Sequence, residues 1–270
     1  MNVNYLQPSM GKRQRVLART ALATALTTLA LAGCGGSDTT DDDSGPTGLV
    51  PTAPALGATL FNDATVLRPL VAGASWQYAG IAPDGDSYTN VITQTSASPG
   101  VTESGTNTFD GGASQVHVTA VNGNIIQPDP IDANGDGIND FANLIELRSP
   151  VRVNDQIVAI DQRLSNMVPD TDGDGHAEAL DLATYSRVIG TEDVDLNGPP
   201  TQQAVRIDRI TAARVVLSKD GQKLPTVTST QTVWYAPSLG VVRRRLDQPS
   251  ESGIGRDVTD ERLTDWDGLP

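Results

Sequence analysis

Positive charge, cysteine, histidine and aromatic residues are all scarce in this sequence, and each scarcity excludes something. Nineteen Lys and Arg face 33 Asp and Glu, a formal net charge of −14 over 270 residues. A surface of that sign repels phosphate backbones, so nucleic acid is not expected as a partner. A single Cys rules out a disulfide framework, and one Cys with two His rules out the usual zinc clusters. Aromatic residues make up 4% of the chain and apolar residues 38%, which allows a folded core at this length with little to spare. Catalytic signatures are missing as well. There is no Gly-x-Ser-x-Gly nucleophile elbow and no Gly-Lys-Ser/Thr phosphate loop, and enzymatic activity is not expected. Long helical periodicity is absent beyond residue 33.

What is present begins at the N-terminus. Lys12, Arg13, Arg15 and Arg19 precede the apolar run Ala21 to Ala32, which ends in Leu31-Ala32-Gly33-Cys34. The run is too short for a permanent membrane span and suits a secretory signal. Small residues before the cut let an extended backbone enter a narrow peptidase site, and a thiol can carry a thioether-linked lipid. The four residues resemble a bacterial lipobox. That resemblance implies a lipoprotein signal peptide over 1–33, lipidation of Cys34 and a membrane anchor of three acyl chains, firm where a single chain binds only reversibly. With Gly35 rather than Asp after the cysteine, it further implies the outer membrane. Cleavage removes four cationic residues and no acid, taking the net charge from −14 to −18. Residues 34–56, with Gly35-Gly36-Ser37 and the acidic run Asp41–Asp43, read as a disordered tether. The acidic run is read as solvated linker, not a metal site.

Residues 57–270 read as one mainly β domain. Short alternating runs at Ser75–Ala79, Ser87–Thr95, Gln115–Val121, Leu144–Arg148, Gln156–Ile160 and Leu182–Ile189 are separated by turn residues. Two longer runs, Ala204–Ser218 and Val227–Tyr235, are joined through Lys219-Asp220-Gly221-Gln222, a strong hairpin signal because Asp and Gly both adopt positive φ. Val205 and Ile207 share one parity while Ile210 and Ala212 share the other, which predicts a bulge or bend inside that strand. A short helix is allowed near Leu56–Asn62 or Phe141–Leu144. The expected architecture is an antiparallel curved sheet or partial barrel with long hairpins and two acidic loops.

Two segments frame the sheet. Pro69-Leu70 with Gly73, Trp76 and Tyr78 enters one strand, and Trp234-Tyr235-Ala236-Pro237 with Gly240 and Val241 makes a late hairpin. The pair resembles β-rich bacterial envelope proteins that open on a PLxxGxxWxY strand and carry a WYAPxxGxV hairpin. Trp76 and Trp234 are read as core anchors in preference to ligand-stacking residues.

The chemistry lies in two loops. Asp132, Asn134, Asp136, Gly137, Ile138 and Asp140 recur 38 residues later as Asp170, Asp172, Asp174, Gly175, His176 and Glu178, and a leucine-led strand is expected after each, at Leu144 and Leu182. Calcium takes six to eight oxygens at about 2.3–2.6 Å, so carboxylates at alternate positions can converge on it while glycine makes the sharp turn. Without an ion, acids this close raise one another's pKa. The loops resemble those of EF-hands, dockerins, thrombospondin type 3 repeats and integrin-type propellers. The resemblance implies Ca2+ ligands at Asp132, Asn134, Asp136, Ile138 (carbonyl) and Asp140, then Asp170, Asp172, Asp174, His176 (carbonyl) and Glu178, with Asp181 at the twelfth position. Where EF-hands have a bidentate Glu there, the first loop has Asn143. Weak, extracellular-type sites of about 10⁻⁴–10⁻³ M are expected, with a structural role. Asp193-Val194-Asp195 echoes the pattern but runs into Pro199-Pro200 and reads as a loop.

His117 is expected on the polar face of a strand, and His176 with its side chain pointing out of its loop. Arg243-Arg244-Arg245 is expected at a solvated strand edge, with anion or lipid-headgroup contact as the alternative. The functional expectation is an envelope-anchored lipoprotein whose calcium-stabilised β domain binds a protein, glycan or lipid partner or supports envelope structure. A half-barrel carrier of lipid or another apolar ligand is the alternative, and a polysaccharide hydrolase the third reading.

Overall fold

The computed structural model describes residues 46–109, 111–127, 144–196, 201–250 and 255–269. The signal peptide, Cys34, the tether up to residue 45 and the whole first acidic loop therefore lie outside the described residues. β1 (Thr59–Phe61) leads through a 3-10 turn at Ala64–Val66 into β2 (Ser75–Ile81), β3 (Ser87–Ser96), β4 (Val101–Asn107), β5 (Ala113–Val121), β6 (Asn124–Gln127) and β7 (Leu144–Leu147). β8 (Val151–Arg152) is followed by β9 (Gln156–Val168), β10 (Glu178–Val194), β11 (Gln202–Val216), β12 (Val227–Ala236), β13 (Gly240–Pro249) and β14 (Arg256–Asp267).

Among the described residues, twelve of these strands form one antiparallel sheet in the order β7-β6-β5-β4-β3-β2-β14-β13-β12-β11-β10-β9, curved into a nearly closed barrel. Consecutive strands are neighbours, so each short connection can close a hairpin. Within this sheet, among the described residues, the one pairing between strands far apart in sequence is β2 with β14, its first and last strands. The sheet's two edges, β7 and β9, are linked by only a few residues around β8. That forces them together, and β1 pairs with β8 beside the seam. The Arg148–Asp155 ion pair, the bond from Arg148 Nη2 to Gln156 O (3.2 Å) and the bond from Asn154 N to Val188 O (2.8 Å) tie the link down.

The strands alternate as the period-2 pattern requires, with one face on the lumen. Leu67, Tyr78, Val118, Ile125, Val205, Val241 and Leu263, all at most 2% exposed, make the main core at one end of the lumen. Each such aliphatic side chain contributes about 1.5–3 kcal/mol by burial. Segment 61–74 plugs that end. Its 3-10 turn is capped by Asp63, Ser149 Oγ accepts from Ala64 N at 2.8 Å, and Val66 O accepts from Ser238 N at 2.8 Å. Among the described residues the opposite end stays open. There β9, β10 and β11 run on past their neighbours as a flap with a smaller core of Ile160, Val168, Leu180, Leu182 and Val215.

Several sequence expectations change in detail. Thr59–Phe61 forms a strand and Ala64–Val66 the only turn of helix among the described residues, so no helix covers 56–62. β11 pairs with β12 in unbroken register, and the bulge sits in β10 between Val188 and Gly190. The parity change along β11 therefore reflects which face is covered, not an extra residue. The Asp220-Gly221 turn forms, with Gly221 at φ 68° and a bridge from Val216 to Lys223. β7 begins at Leu144 as expected, but β10 begins at Glu178, ahead of Leu182. Residues 46–56 lie along the sheet, with Arg214 Nη2 donating to Thr47 O (2.9 Å) and Gln156 Nε2 to Pro51 O (3.0 Å).

Arg243, Arg244 and Arg245 occupy β13, which is flanked by β12 and β14 and is not an edge. Alternation splits them. Arg243 lies 4.6 Å over the Trp234 ring and pairs with Asp260 (Nε–Oδ1 2.9 Å), while Arg245 is half-exposed near Asp247. Arg244 points into the lumen, 5.0 Å from the Tyr78 ring and 2.8 Å from Glu261. Trp76 and Trp234 are 5% and 4% exposed and anchor the sheet. Trp76 Nε1 donates to Leu239 O at 2.6 Å, and Trp234 Nε1 donates to Glu192.

Candidate functional site

Two features share the open end of the barrel: the second acidic loop, which joins β9 to β10, and the mouth of the lumen. In the loop, Gly173 and Gly175 both take positive φ, 79° and 89°, a conformation that side chains with a Cβ rarely tolerate. The tight turn this allows lets Asp170 Oδ1 accept from Gly173 N (2.7 Å) and Oδ2 from Gly175 N (2.9 Å). Asp172 Oδ1 accepts from Asp174 N (3.2 Å), and Asp174 accepts from His176 N (2.8 Å) and Ser218 Oγ (2.7 Å). One carboxylate oxygen from each of Asp170, Asp172 and Asp174 falls within 4.8 Å of the other two. His176 is exposed.

Asp172 is buried, and burial followed by the nearby Glu178 charge pushes its carboxyl above the ordinary range. Asp174 behaves oppositely. The hydrogen bonds from Ser218 and His176 hold it below the ordinary range, so mutual repulsion does not lift every acid of the loop. A divalent cation suits three converging carboxylates and would offset the penalty on Asp172. The donor set is sparse for calcium, which would need water or bidentate carboxylates beyond these groups.

Glu178 and Asp181 are placed elsewhere than a ligand role requires. Glu178 is fully buried and accepts from Thr171 N (2.9 Å), Thr171 Oγ1 (3.0 Å) and Ser218 N (2.5 Å). It braces the loop against the β11–β12 connection. Asp181, also fully buried, sits in β10 directly between Arg163 of β9 and Arg214 of β11. Its oxygens lie 2.7 Å from Arg163 Nε and 2.7 Å from Arg214 Nη2. Burial alone would raise its pKa, but the two guanidiniums together hold it below the ordinary value of 3.8. The twelfth loop position thus falls inside a strand and is satisfied there. Of the ligands implied for the first loop, Asp132, Asn134, Asp136, Ile138 and Asp140 all lie outside the described residues. The flanking Gln127 and Leu144 pair with each other.

The barrel expected from the sequence has a polar lumen that no sequence motif marks. The inner faces of the strands enclose a cavity of about 350 Å³ between the plug and the open end. At its floor Arg68, 8% exposed, pairs with Glu103 (Nη2–Oε2 2.6 Å) and faces Glu146 (Nε–Oε2 3.7 Å). Tyr235 Oη donates to the other oxygen of Glu146 at 2.6 Å, and Gln94 Nε2 donates to Glu103 at 2.8 Å. Burial alone would raise the Glu146 carboxyl and lower the Arg68 guanidinium. The nearby guanidiniums and the Tyr235 bond hold Glu146 below the ordinary 4.5, and the two carboxylates hold Arg68 above its ordinary range. Burial pushes Tyr78 up to about 12. Nearer the mouth, Gly80 leaves room for the Tyr88 ring. A Cβ on Gly80 would meet Tyr88 Cζ at 2.3 Å.

The signal that could have exposed this lining is polar residues at lumen-facing parity in otherwise alternating strands: Asn90, Gln94, Glu103, Glu146, Arg209 and Glu261. His117, at the opposite parity to Val118 on β5, is partly exposed and faces away from the lumen.

No family model matches the sequence, and no curated protein matches it. Among solved structures, the chain is similar to a candidate lipoprotein from Parabacteroides distasonis, at 15% identity and a TM-score of 0.41 over 75% of this chain and 98% of that one. It is also similar to a candidate exported protein with a YmcC-like fold from Bacteroides fragilis, at 12% identity and a TM-score of 0.39 over 74% and 97%. Likenesses this distant bear on neither the ligand nor the role of this chain.

Proposed function

We propose that the chain is a lipoprotein of the cell envelope, anchored in the outer membrane through Cys34. Its β domain is held in shape by calcium at the loop Asp170–Asp174 and serves a binding or structural role, not a catalytic one. The observation that carries the calcium part is the convergence of three carboxylates on one focus, each oriented by hydrogen bonds from the loop or from Ser218. The anchor rests on the basic region, apolar run and lipobox in register. Calcium at that focus would tie β9 to β10 at the head of the flap, where the small core has least to hold it. Stabilisation then follows mass action at about millimolar external calcium.

An apolar-ligand carrier is disfavoured by the lumen itself, because a lipid tail there would leave several charged side chains desolvated without repayment. A hydrolase is disfavoured because Glu103 and Glu146 are both committed to Arg68 and its neighbours.

Calorimetric melting of the mature domain tests the metal. The midpoint rises with calcium more than with magnesium and falls back with chelator. The response shrinks in Asp174→Ala and vanishes in the Asp136→Ala, Asp174→Ala double variant. A midpoint indifferent to calcium sinks this part of the reading. The anchor is tested separately, since globomycin treatment of expressing cells should accumulate unprocessed precursor.

A further inference from the structure

The lumen holds one guanidinium that its own pairing leaves without a hydrogen bond. Three guanidiniums line it, from Arg68, Arg209 and Arg244, against three carboxylates, from Glu103, Glu146 and Glu261. Arg68 is paired with Glu103 and Arg244 with Glu261. Arg209, on the lumen face of β11 beside Ile207, makes no hydrogen bond or ion pair among the described residues, although it feels the charge of Glu146. Deeper in, Arg68 Nε and Glu146 Oε2 are both buried and both lack a hydrogen-bond partner. Both side chains are more than nine-tenths buried and line the same cavity. The two atoms face each other at 3.7 Å, an ion pair beyond hydrogen-bond reach, so a hydroxyl between them could bond to both.

We propose that the lumen is a binding site for a small, hydroxyl-rich organic monoanion bearing a carboxylate, of the sugar-acid class, with its carboxylate on Arg209. A guanidinium fork matches a planar carboxylate in two parallel hydrogen bonds. Arg209 is one guanidinium among three lining glutamates, which repel a dianion more than a monoanion, so a carboxylate monoanion fits better than a phosphate. Hydroxyls meet donors and acceptors in Asn90 and Gln231 on the lumen wall and in the Arg68 Nε and Glu146 Oε2 pair at the floor, which lacks hydrogen bonds. Tyr88 and Phe109, with ring centroids 5.8 Å apart, offer apolar faces for ring C–H groups near the mouth. The cavity volume lies in the range of small-ligand pockets.

The test is calorimetric titration of the mature protein with D-glucuronate, using D-glucose and inorganic phosphate as comparison probes. Glucuronate is expected to bind saturably, glucose and phosphate at least about tenfold more weakly, and Arg209→Gln to weaken glucuronate by about tenfold or more. Should Arg209→Gln fail to fold, Ser114→Trp serves instead. Ser114 is an exposed lining residue of β5, and bulk there blocks entry without burying charge. Loss of binding in that variant, with an unchanged melting midpoint, supports the assignment. Absence of saturable glucuronate binding, equal binding of phosphate or glucose, or binding unaffected by either variant overturns it and leaves a water-filled cavity only. The calcium response is read independently, so failure here leaves the metal reading standing, and the reverse holds too.

Discussion

The barrel buries carboxylate–guanidinium clusters at two places, and they are built to opposite standards. In the flap, Arg163, Asp181 and Arg214 lie in one cross-strand row on β9, β10 and β11. Every oxygen of Asp181 is engaged, Arg214 also donates to Thr47 O, and Thr47 donates to Asp161 from both N (2.9 Å) and Oγ1 (2.5 Å). The register of three strands fixes that cluster, and nothing in it is left over. In the lumen, Arg68 arrives from the plug, not from the sheet, and the floor retains a nitrogen and an oxygen without hydrogen bonds. A closed network specifies register; an open one keeps capacity for something else. Buried ion pairs contribute little net stability, so what distinguishes the two is what happens when a member is removed.

The largest effect is expected at Asp181. Asp181→Ala leaves two partly buried guanidiniums facing each other across β10, and should cost about 3 kcal/mol or more, read as a fall in the denaturant midpoint with an unchanged slope. A loss under about 1 kcal/mol, the size of an exposed surface pair, breaks the contrast. Acid titration sharpens it. Asp181 and Glu146 both have carboxyls held below their ordinary values, so each contributes stability that is present at neutral pH. That contribution is lost as pH falls below the ordinary carboxylate range and through the folded-state value. Between about pH 5 and about pH 3 the wild type should lose more stability than Asp181→Ala, which no longer has that carboxyl to protonate. Parallel pH profiles would mean that Asp181 is not the linked group.

How much of this the sequence disclosed depends on whether the information was local. Alternation gave most strands, and the Asp220-Gly221 pair marked a true turn, because period-2 burial and positive φ are properties of a few adjacent residues. Val101–Asn107 escaped notice because its lumen-facing positions are Glu103, Gly105 and Asn107, polar or small where an apolar stripe was sought. Asp181 was misread for a related reason. Counting along the loop makes it a twelfth ligand, whereas its flanking Leu180 and Leu182 place it in a strand whose partners lie 18 and 33 residues away. An acid between two core leucines calls for a cation across the sheet, and only the register reveals which one. The converging Asp170, Asp172 and Asp174 were legible because their spacing and glycines sit within one loop. The lumen, assembled from strands across the whole domain, was not.

The smallest effect, and the one that tells the two clusters apart most finely, is expected at Glu146. Glu146→Gln keeps an acceptor for the Tyr235 hydroxyl, and Arg68 keeps its shorter partner Glu103 at 2.6 Å. The lost oxygen is the one that already lacks a hydrogen bond. Stability should therefore fall by about 1 kcal/mol or less, well short of the loss at Asp181. The same substitution removes a negative charge from the lumen and leaves Arg209 and Arg68 less compensated, so glucuronate should bind more tightly as the protein becomes slightly less stable. Those opposite signs are the signature of an open network, because a purely structural pair would lose stability and leave ligand binding where it was. A stability loss as large as that of Asp181→Ala would make the lumen cluster as closed as the flap's, and the distinction between them would collapse.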